Sequence, residues 1–304
     1  MYTDELDQLL SELPKRFHGV LAQTPMMQLH TLCSRNDVEV FAKLEGTNLG
    51  GSVKDRAALG MILDAEKRGI VPGKKLVEAT SGNTGIALAL IASLKQIPIT
   101  LIMPQSATVE RVAIMKAYGA EVDLIDGGME DAIDKAKALH QAGSHYMLNQ
   151  FGNPANPTMH YRTTGPEIYH HTQKKVTHFV SAMGTTGTIM GTSRYLKEQD
   201  PTIQIIGVQP DGESKIPGIR RWPKAYLPAI FDASRVDRIL DVQAEQALEM
   251  ARQLTKQEGI FCGPSSGGAC WAALQVAQSA PSGSHIVFIV CDRGDKYLSM
   301  PDLF

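Results

Sequence analysis

The sequence predicts an α/β protein of two lobes, each with a mainly parallel twisted sheet flanked by helices, on two observations. From Lys74 onward, short apolar runs alternate with longer segments of helical period, which is the pattern of βαβ units in a parallel sheet. One stretch, NQFGNPANPTMHY, is rich in Asn, Pro and Gly and interrupts that alternation, so it marks the expected crossing between lobes.

The elements follow in order. KKLVEAT reads as a strand, NTGIALALIASLKQ as a helix and ITLIMP as a strand. ATVERVAIMKAYG is a helix, EVDLID a strand, MEDAIDKAKALHQAG a helix and HYMLNQ a strand, with Gly119 and Gly143 placed to cap the helices they follow. Beyond the break, HFVSAM is a strand, TGTIMGTSRYLKEQ a helix and IQIIGVQP a strand. A long loop follows, punctuated by Pro210, Pro217, Pro223 and Pro228. AEQALEMARQLTKQEG and GGACWAALQVAQ are then helices, and HIVFIVC is the last strand. There is no internal repeat. Ligand sites in such folds lie beyond the carboxyl ends of the strands, so a cleft between the lobes is the expected site.

At 304 residues and 43% hydrophobic content the chain can bury a large core. A formal net charge of −2 without a basic stripe argues against nucleic acid or an anionic membrane surface as partner. The longest apolar run, 86–94, is too short to span a bilayer and contains Ser93, with Lys95 next. MYTDELDQLLSELPKRF reads as a short acidic amphipathic helix and lacks the basic start and apolar centre of a signal peptide. Cys33, Cys262, Cys270 and Cys291 form no C-x-x-C pair, so reduced thiols and a cytoplasmic location are expected.

Four short stretches carry the chemistry. In EGTNLGGSVKDRAALGMI, Lys54 stands between a Gly-Gly-Ser turn and a helix start, where the helix dipole disfavours a cation. SAMGTTGTIMG sets residues 184–188 between a strand and a helix, where free N–H groups and the dipole favour a phosphate. An ordinary N-cap with spare threonines explains that stretch equally well. It is neither a Walker A loop nor G-x-G-x-x-G, so nucleotide hydrolysis is not indicated. In ATSGNTGIALA, Thr80, Ser81, Asn83 and Thr84 gather more small polar groups than a cap needs, and these suit a carboxylate. FCGPSSGGACWAALQ is a third polar helix entry, and Ser266 there reads as an N-cap.

Together, EGTNLGGSVKDRAAL, EATSGNTGIALA, SAMGTTGTI, IPGIRRWP, EGIFCGPSSGGA and CDRGDKYLS resemble the fold type II pyridoxal-phosphate enzymes, the tryptophan synthase β group. The resemblance runs through nearly the whole chain and is strongest to the O-acetylserine sulfhydrylase (cysteine synthase) family of the B type. It implies a smaller mobile domain over residues 48–156 and a larger one over 1–47 plus 157–304, with pyridoxal 5'-phosphate in the cleft between them. It implies that Lys54 carries the Schiff base and, once released, acts as the base at the substrate's Cα. Asn83 would bond the cofactor's ring hydroxyl oxygen, Gly184, Thr185, Thr186, Gly187 and Thr188 its phosphate, and Ser265 would face the ring nitrogen. A serine does not enforce a protonated ring as an aspartate would, which suits β-replacement better than racemisation or transamination. Thr80, Ser81, Thr84 and Gln150 would hold the substrate carboxylate.

The implied reaction replaces the acetate of O-acetyl-L-serine, through an α-aminoacrylate, with sulfide to give L-cysteine or with thiosulfate to give S-sulfocysteine, in a homodimer. By the same resemblance, Arg220, Arg221 and Trp222 of IPGIRRWP would mark the thiosulfate-using type and contact the donor, against the reading of a solvated loop with two arginines, and Cys291 would be a second marker, against the reading of a buried thiol ending an apolar strand. The alternatives are an A-type cysteine synthase limited to sulfide, a dehydratase or other lyase of the same fold, or an amino-acid sensor, which would have no use for an imine-forming amine. The family's Gly-Asn-Thr-Pro reads Ala22-Gln23-Thr24-Pro25 here, outside the residues assigned to the cofactor.

Overall fold

The computed structural model describes residues 21–300 and 303, apart from 72 and 81; the acidic helix expected at the N-terminus lies outside them. The strands are β1 (Met26–Gln28), β2 (Glu39–Leu44), β3 (Lys75–Ala79), β4 (Ile99–Pro104), β5 (Glu121–Ile125), β6 (His145–Met147), β7 (Val176–Ala182), β8 (Gln204–Pro210), β9 (Arg238–Val242) and β10 (His285–Val290). They form two sheets. The smaller has the order β5-β4-β3-β6 and is parallel throughout. The larger has the order β1-β2-β10-β7-β8-β9, parallel except for β1.

Burial on both faces explains the apolar strands. Every residue of β4 is buried. Leu76 and Leu101 pack beneath helices α1 (Lys54–Lys67) and α2 (Asn83–Lys95), through side chains such as Leu59, Ile62 and Ile86. Val77, Ala79 and Ile102 face the other way, onto Met129, Ala132 and Ile133 of a later helix, Met129–Gln141. Between them lies α3 (Val109–Ala117), so the Met129–Gln141 helix is α4.

Five elements were not expected: β1, β2, β9, α5 (Ala155–Arg162) and α6 (Thr164–His171). β9 is a sheet edge and mostly exposed, so it has no apolar run to betray it. The Asn- and Pro-rich break does end β6, but it also begins a helix. Pro154 is the N-cap of α5 and Pro157 lies in its first turn, where a missing N–H leaves no helical bond unmade. Against α5 packs α7 (Gly187–Gln199). The approach is close: a Cβ on Gly187 would lie 2.0 Å from Asn156 Oδ1, and one on Gly191 2.0 Å from Pro157 O.

The larger sheet is covered on one face by α8 (Ala244–Glu258) and α9 (Pro264–Ser279). One buried network ties the lobes at the start of α1. Arg56 donates to both Glu45 oxygens at 2.7 and 2.8 Å and to both Glu167 oxygens at 2.7 and 2.8 Å. Lys43 of β2 pairs with Glu167 at 2.8 Å. Two cations thus face two carboxylates, and the bidentate geometry provides the compensation that buried charge requires. It fixes the turn of α1 that carries Lys54.

Candidate active site

The N-termini of α1, α2, α7 and α9 converge on one cleft of about 740 Å³, its open mouth included. Lys54 is the first residue of α1. Val53 N donates to Cys291 O at 2.8 Å and Ser52 bridges to Asp292, so the turn before Lys54 is anchored to the end of β10. Asp55 accepts from Gly50 N at 2.5 Å and holds the turn from below, its carboxyl pushed up to about 7 by burial.

The α2 entry follows the carboxyl end of β3. Thr80 Oγ1 accepts from Gly82 N at 3.1 Å and Gly85 N at 2.9 Å, which directs its own proton elsewhere. Gly82 has φ +157, and a Cβ there would meet Arg111 at 2.7 Å, so only glycine lets the chain pass. Gln150 is stitched to the same loop: its Oε1 accepts from Thr84 Oγ1 at 2.8 Å and its Nε2 donates to Ala79 O at 2.6 Å. Asn83 Nδ2 donates to Asp292 Oδ2 at 2.6 Å, and Asn83 Oδ1 accepts from Lys296 Nζ at 3.2 Å. Lys296 has no acceptor, so it fixes which way the amide faces.

On the opposite wall, Thr186 is the N-cap of α7, with φ +70 and a buried hydroxyl that has no partner among the described residues. Thr185 and Thr188 flank it and line the cleft with Gly184. Trp222 Nε1 donates to Gly184 O at 2.7 Å, and its ring meets Phe151 edge-on at 5.2 Å. Ser265 lines the cleft beside Gly218 and Cys291, whose thiol burial pushes up to about 11.

Of the residues singled out in the sequence, Lys54, Thr80, Asn83, Thr84, Gln150, Gly184, Thr185, Thr188, Arg220, Trp222, Ser265 and Cys291 line this cleft. Ser81 lies outside the described residues. Thr186 and Gly187 of the 184–188 loop are buried and do not line the cleft. Arg220 and Arg221 diverge: Arg220 lines the cleft, whereas Arg221 donates to Pro210 O at 3.0 Å and pairs with Asp241 at 2.5 Å. Sequence reasoning missed Arg111, Asn156 and His160. Arg111 also lines the cleft and stacks on Tyr297 at 4.5 Å. No motif marks these residues; they reach the site from α3 and α5 by packing alone.

Glu78 lies one residue before Ala79, fully buried, and accepts from Gln150 N at 3.3 Å. Burial pushes its carboxyl from 4.5 up to about 8. Between those values the unfolded chain has released this proton and the native chain has not, so native stability falls as pH rises from about 4.5 to about 8. Glu78→Gln should flatten this decline. Denaturant midpoints at pH 5.5 and 8.5 check it, and parallel profiles for variant and wild type would refute it.

The chain is similar to known proteins over nearly its whole length. The family model described as pyridoxal-phosphate dependent enzyme matches residues 19–292. Cysteine synthase B of Salmonella typhimurium is 55% identical over 282 residues, covering 92% of this chain and 93% of its own. A crystal structure of cysteine synthase from Entamoeba histolytica superposes with TM-score 0.87 at 37% identity, covering 96% of this chain and 92% of the other. That of an O-ureido-L-serine synthase does so with TM-score 0.88 at 34% identity, covering 93% of each chain. The family model and the curated relatives both cover nearly the whole length, and the chain belongs to the pyridoxal-phosphate dependent enzyme family.

Proposed function

We propose that this chain makes L-cysteine by replacing the acetate of O-acetyl-L-serine with sulfide, and that it also accepts thiosulfate, giving S-sulfocysteine. The observation that carries this reading is the convergence of an amine, Lys54, with three polar helix N-termini on one cleft, in a chain 55% identical to a cysteine synthase B.

The residues fit pyridoxal 5'-phosphate. The 184–188 loop offers the neutral hydroxyls of Thr185 and Thr188, both lining the cleft, and N–H donors at a positive helix end. A Cβ at Gly184 would stand 2.8 Å from Gly218 O, so the loop backbone is open to close approach only as glycine. When bound, the cofactor supplies an aldehyde for an amine and a ring that accepts electron density from Cα.

The chain's own residues do the rest. Lys54 Nζ would hold the cofactor and, as a free amine once released from it, would take the proton from the substrate's Cα. The Thr80 hydroxyl, the first N–H groups of α2 and the second Nε2 proton of Gln150 hold the carboxylate. Asn83 Nδ2 donates one proton to Asp292 and would keep the other for the cofactor's ring oxygen. Ser265, which lines the cleft, would face the ring nitrogen.

Residues 48–156 form the smaller, mobile domain, its boundary falling within the first turn of α5, and 1–47 with 157–304 form the larger. The polar contacts at the far end of the seam, where Ser299 N and Oγ each donate to Glu110 at 2.7 Å and Thr108 Oγ1 donates to Lys296 O at 3.2 Å, are the ones that would open and close, while the buried Arg56 network holds the base of α1. The enzyme acts as a homodimer in the cytoplasm. Its buried free thiols and the absence, among the described residues, of a helix long and apolar enough to cross a membrane are consistent with that location.

The test is direct. The purified protein with cofactor is given O-acetyl-L-serine with sulfide and, separately, with thiosulfate. L-Cysteine and S-sulfocysteine are the expected products. A keto acid from L-serine or L-threonine, with no β-replacement, would make the chain a dehydratase. Thr84→Val removes one neutral hydrogen bond to Gln150, so KM for O-acetylserine should rise about two- to tenfold. An unchanged KM would detach Gln150 from carboxylate binding.

A further inference from the structure

The cofactor assignments above leave α5 unused, although its inner face forms the floor beneath the 184–188 loop. Asn156 and His160 are four residues apart on that helix, so they share a face, and both are buried. Asn156 Nδ2 donates to Gln150 O at 2.9 Å and to Thr185 Oγ1 at 3.3 Å, linking the carboxylate loop to the phosphate loop. His160 Nδ1 lies 2.9 Å from Thr164 Oγ1, and His160 Nε2 lies 3.3 Å from Thr188 Oγ1. The imidazole is thus clamped between two hydroxyls, one in the first turn of α6 and one in the first turn of α7.

Burial holds this imidazole well below the ordinary histidine range, and the Arg56 and Lys54 cations act in the same sense. A neutral imidazole has one donor and one acceptor, so each clamp has a direction. If the Thr164 hydroxyl donates to Nδ1, the proton sits on Nε2 and points at Thr188 Oγ1. The Thr188 proton is then left to face the cleft. In the opposite tautomer Thr188 donates backwards to Nε2 and turns a lone pair toward the cleft. A phosphate dianion only accepts, so the first direction binds it and the second repels it. Direction matters in this loop because its donors are hydroxyls and N–H groups, with no cationic side chain among residues 184–188.

We propose that His160 is a positioning residue for the cofactor phosphate: as the Nε2–H tautomer, seated between Thr164 and Thr188, it aims the Thr188 hydroxyl proton at the phosphate. This rests on the reading of residues 184–188 as the phosphate site. It makes the chain Thr164 → His160 → Thr188 → phosphate a single directed row of hydrogen bonds.

The experiment compares His160→Gln, His160→Leu, Thr188→Val and the His160→Leu/Thr188→Val double variant. Pyridoxal phosphate affinity is measured by reconstituting each apo-protein, and the phosphate is observed by its 31P resonance in each holo-protein. Thr188→Val should weaken binding roughly tenfold, as expected for a hydrogen bond to a charged group, and should move the 31P resonance. His160→Leu should reproduce both effects, the double variant should add less than about twofold, and His160→Gln, whose amide N–H reaches the same place, should restore most of the loss. If Thr188→Val changes both readouts and His160→Leu neither, the role given to His160 is wrong while the phosphate site stands. Losses that multiply in the double variant would also overturn it, since His160 would then act independently of Thr188. If Thr188→Val itself changes nothing, the phosphate-site reading fails instead. Should His160→Leu not fold, 15N spectra of the histidine-labelled wild-type holoenzyme, assigned against His160→Gln, decide the matter: the Nε2–H tautomer is expected, and an Nδ1–H tautomer or an imidazolium overturns the proposal.

Discussion

Lys54→Ala should abolish β-replacement, lowering turnover of O-acetylserine with sulfide by about a thousandfold or more, while the fold is expected to persist. A positioned general base alone contributes about 10²–10⁴-fold, and Lys54 is also assigned the attachment of the cofactor. The placement of Lys54 argues for amine chemistry over a structural charge. A cation at a helix N-terminus opposes the dipole, and among the described residues no group hydrogen-bonds its Nζ. Its surroundings are fixed without it: Arg56 is locked to Glu45 and Glu167, and Val53 N to Cys291 O. Loss of the lysine side chain therefore leaves the turn in place. Lys54→Arg separates charge from chemistry, because a guanidinium keeps the cation but does not give up its proton in a protein. It should be as inactive as Lys54→Ala. Circular dichroism confirms folding in both. Turnover by Lys54→Arg above a few per cent of wild type would remove Lys54 from its catalytic role.

The parts of this site legible in the sequence are those whose chemistry is local. A strand, a glycine-rich turn and a helix start within a dozen residues reveal a donor-rich N-terminus wherever it lies in space, and the entries at Asn83, Gly187 and Pro264 were found this way. What stayed hidden is carried by tertiary packing. His160 and Asn156 reach the 184–188 loop only because Gly187 and Gly191 let α7 lie against α5, and in the sequence that helix is masked by two prolines that happen to fall at its start. Lys296 and Asp292 meet Asn83 from more than two hundred residues away. β2 carries Lys43, whose burial is tolerated because Glu167 compensates it, a pairing no local pattern announces. The Arg-Arg pair shows the converse limit: the motif is local, but neighbouring residues on an extended loop face opposite ways, and the sequence offers no means of saying which faces the cleft.

That divergence sharpens the expectation for the sulfur donor. Arg220 is anchored by its own N–H to Met183 O at 2.9 Å, lies over the Trp222 ring at 5.4 Å and lines the cleft. Burial lowers its pKa from the usual arginine value, but a guanidinium keeps its charge at any working pH. Trp222 is itself held by Gly184 O and Phe151, so the stack presents a rigid fork of donors at the cleft. Such a fork suits the oxyanion end of thiosulfate, while hydrosulfide is small, singly charged and needs no such contact. Arg220→Ala should therefore raise KM for thiosulfate about tenfold to a hundredfold, the equivalent of one charge-assisted contact at about 1.5–3 kcal/mol, and leave KM for hydrosulfide within about twofold. Arg221→Ala removes a half-exposed pair with Asp241, worth about 0.2–1 kcal/mol, and should change either KM by less than about fivefold. Arg220→Lys keeps the charge but loses both fork and stack, so it should recover only part of the thiosulfate affinity. Equal losses for both donors in Arg220→Ala would make the arginine a support of the loop and not a donor contact. If instead Arg221→Ala carried the larger thiosulfate defect, the loop would have to rearrange on binding so that the partner of Asp241 turns into the cleft. A wild-type protein inert toward thiosulfate but active with sulfide would leave the A-type reaction, with Arg220 then serving to hold Trp222 over the 184–188 loop.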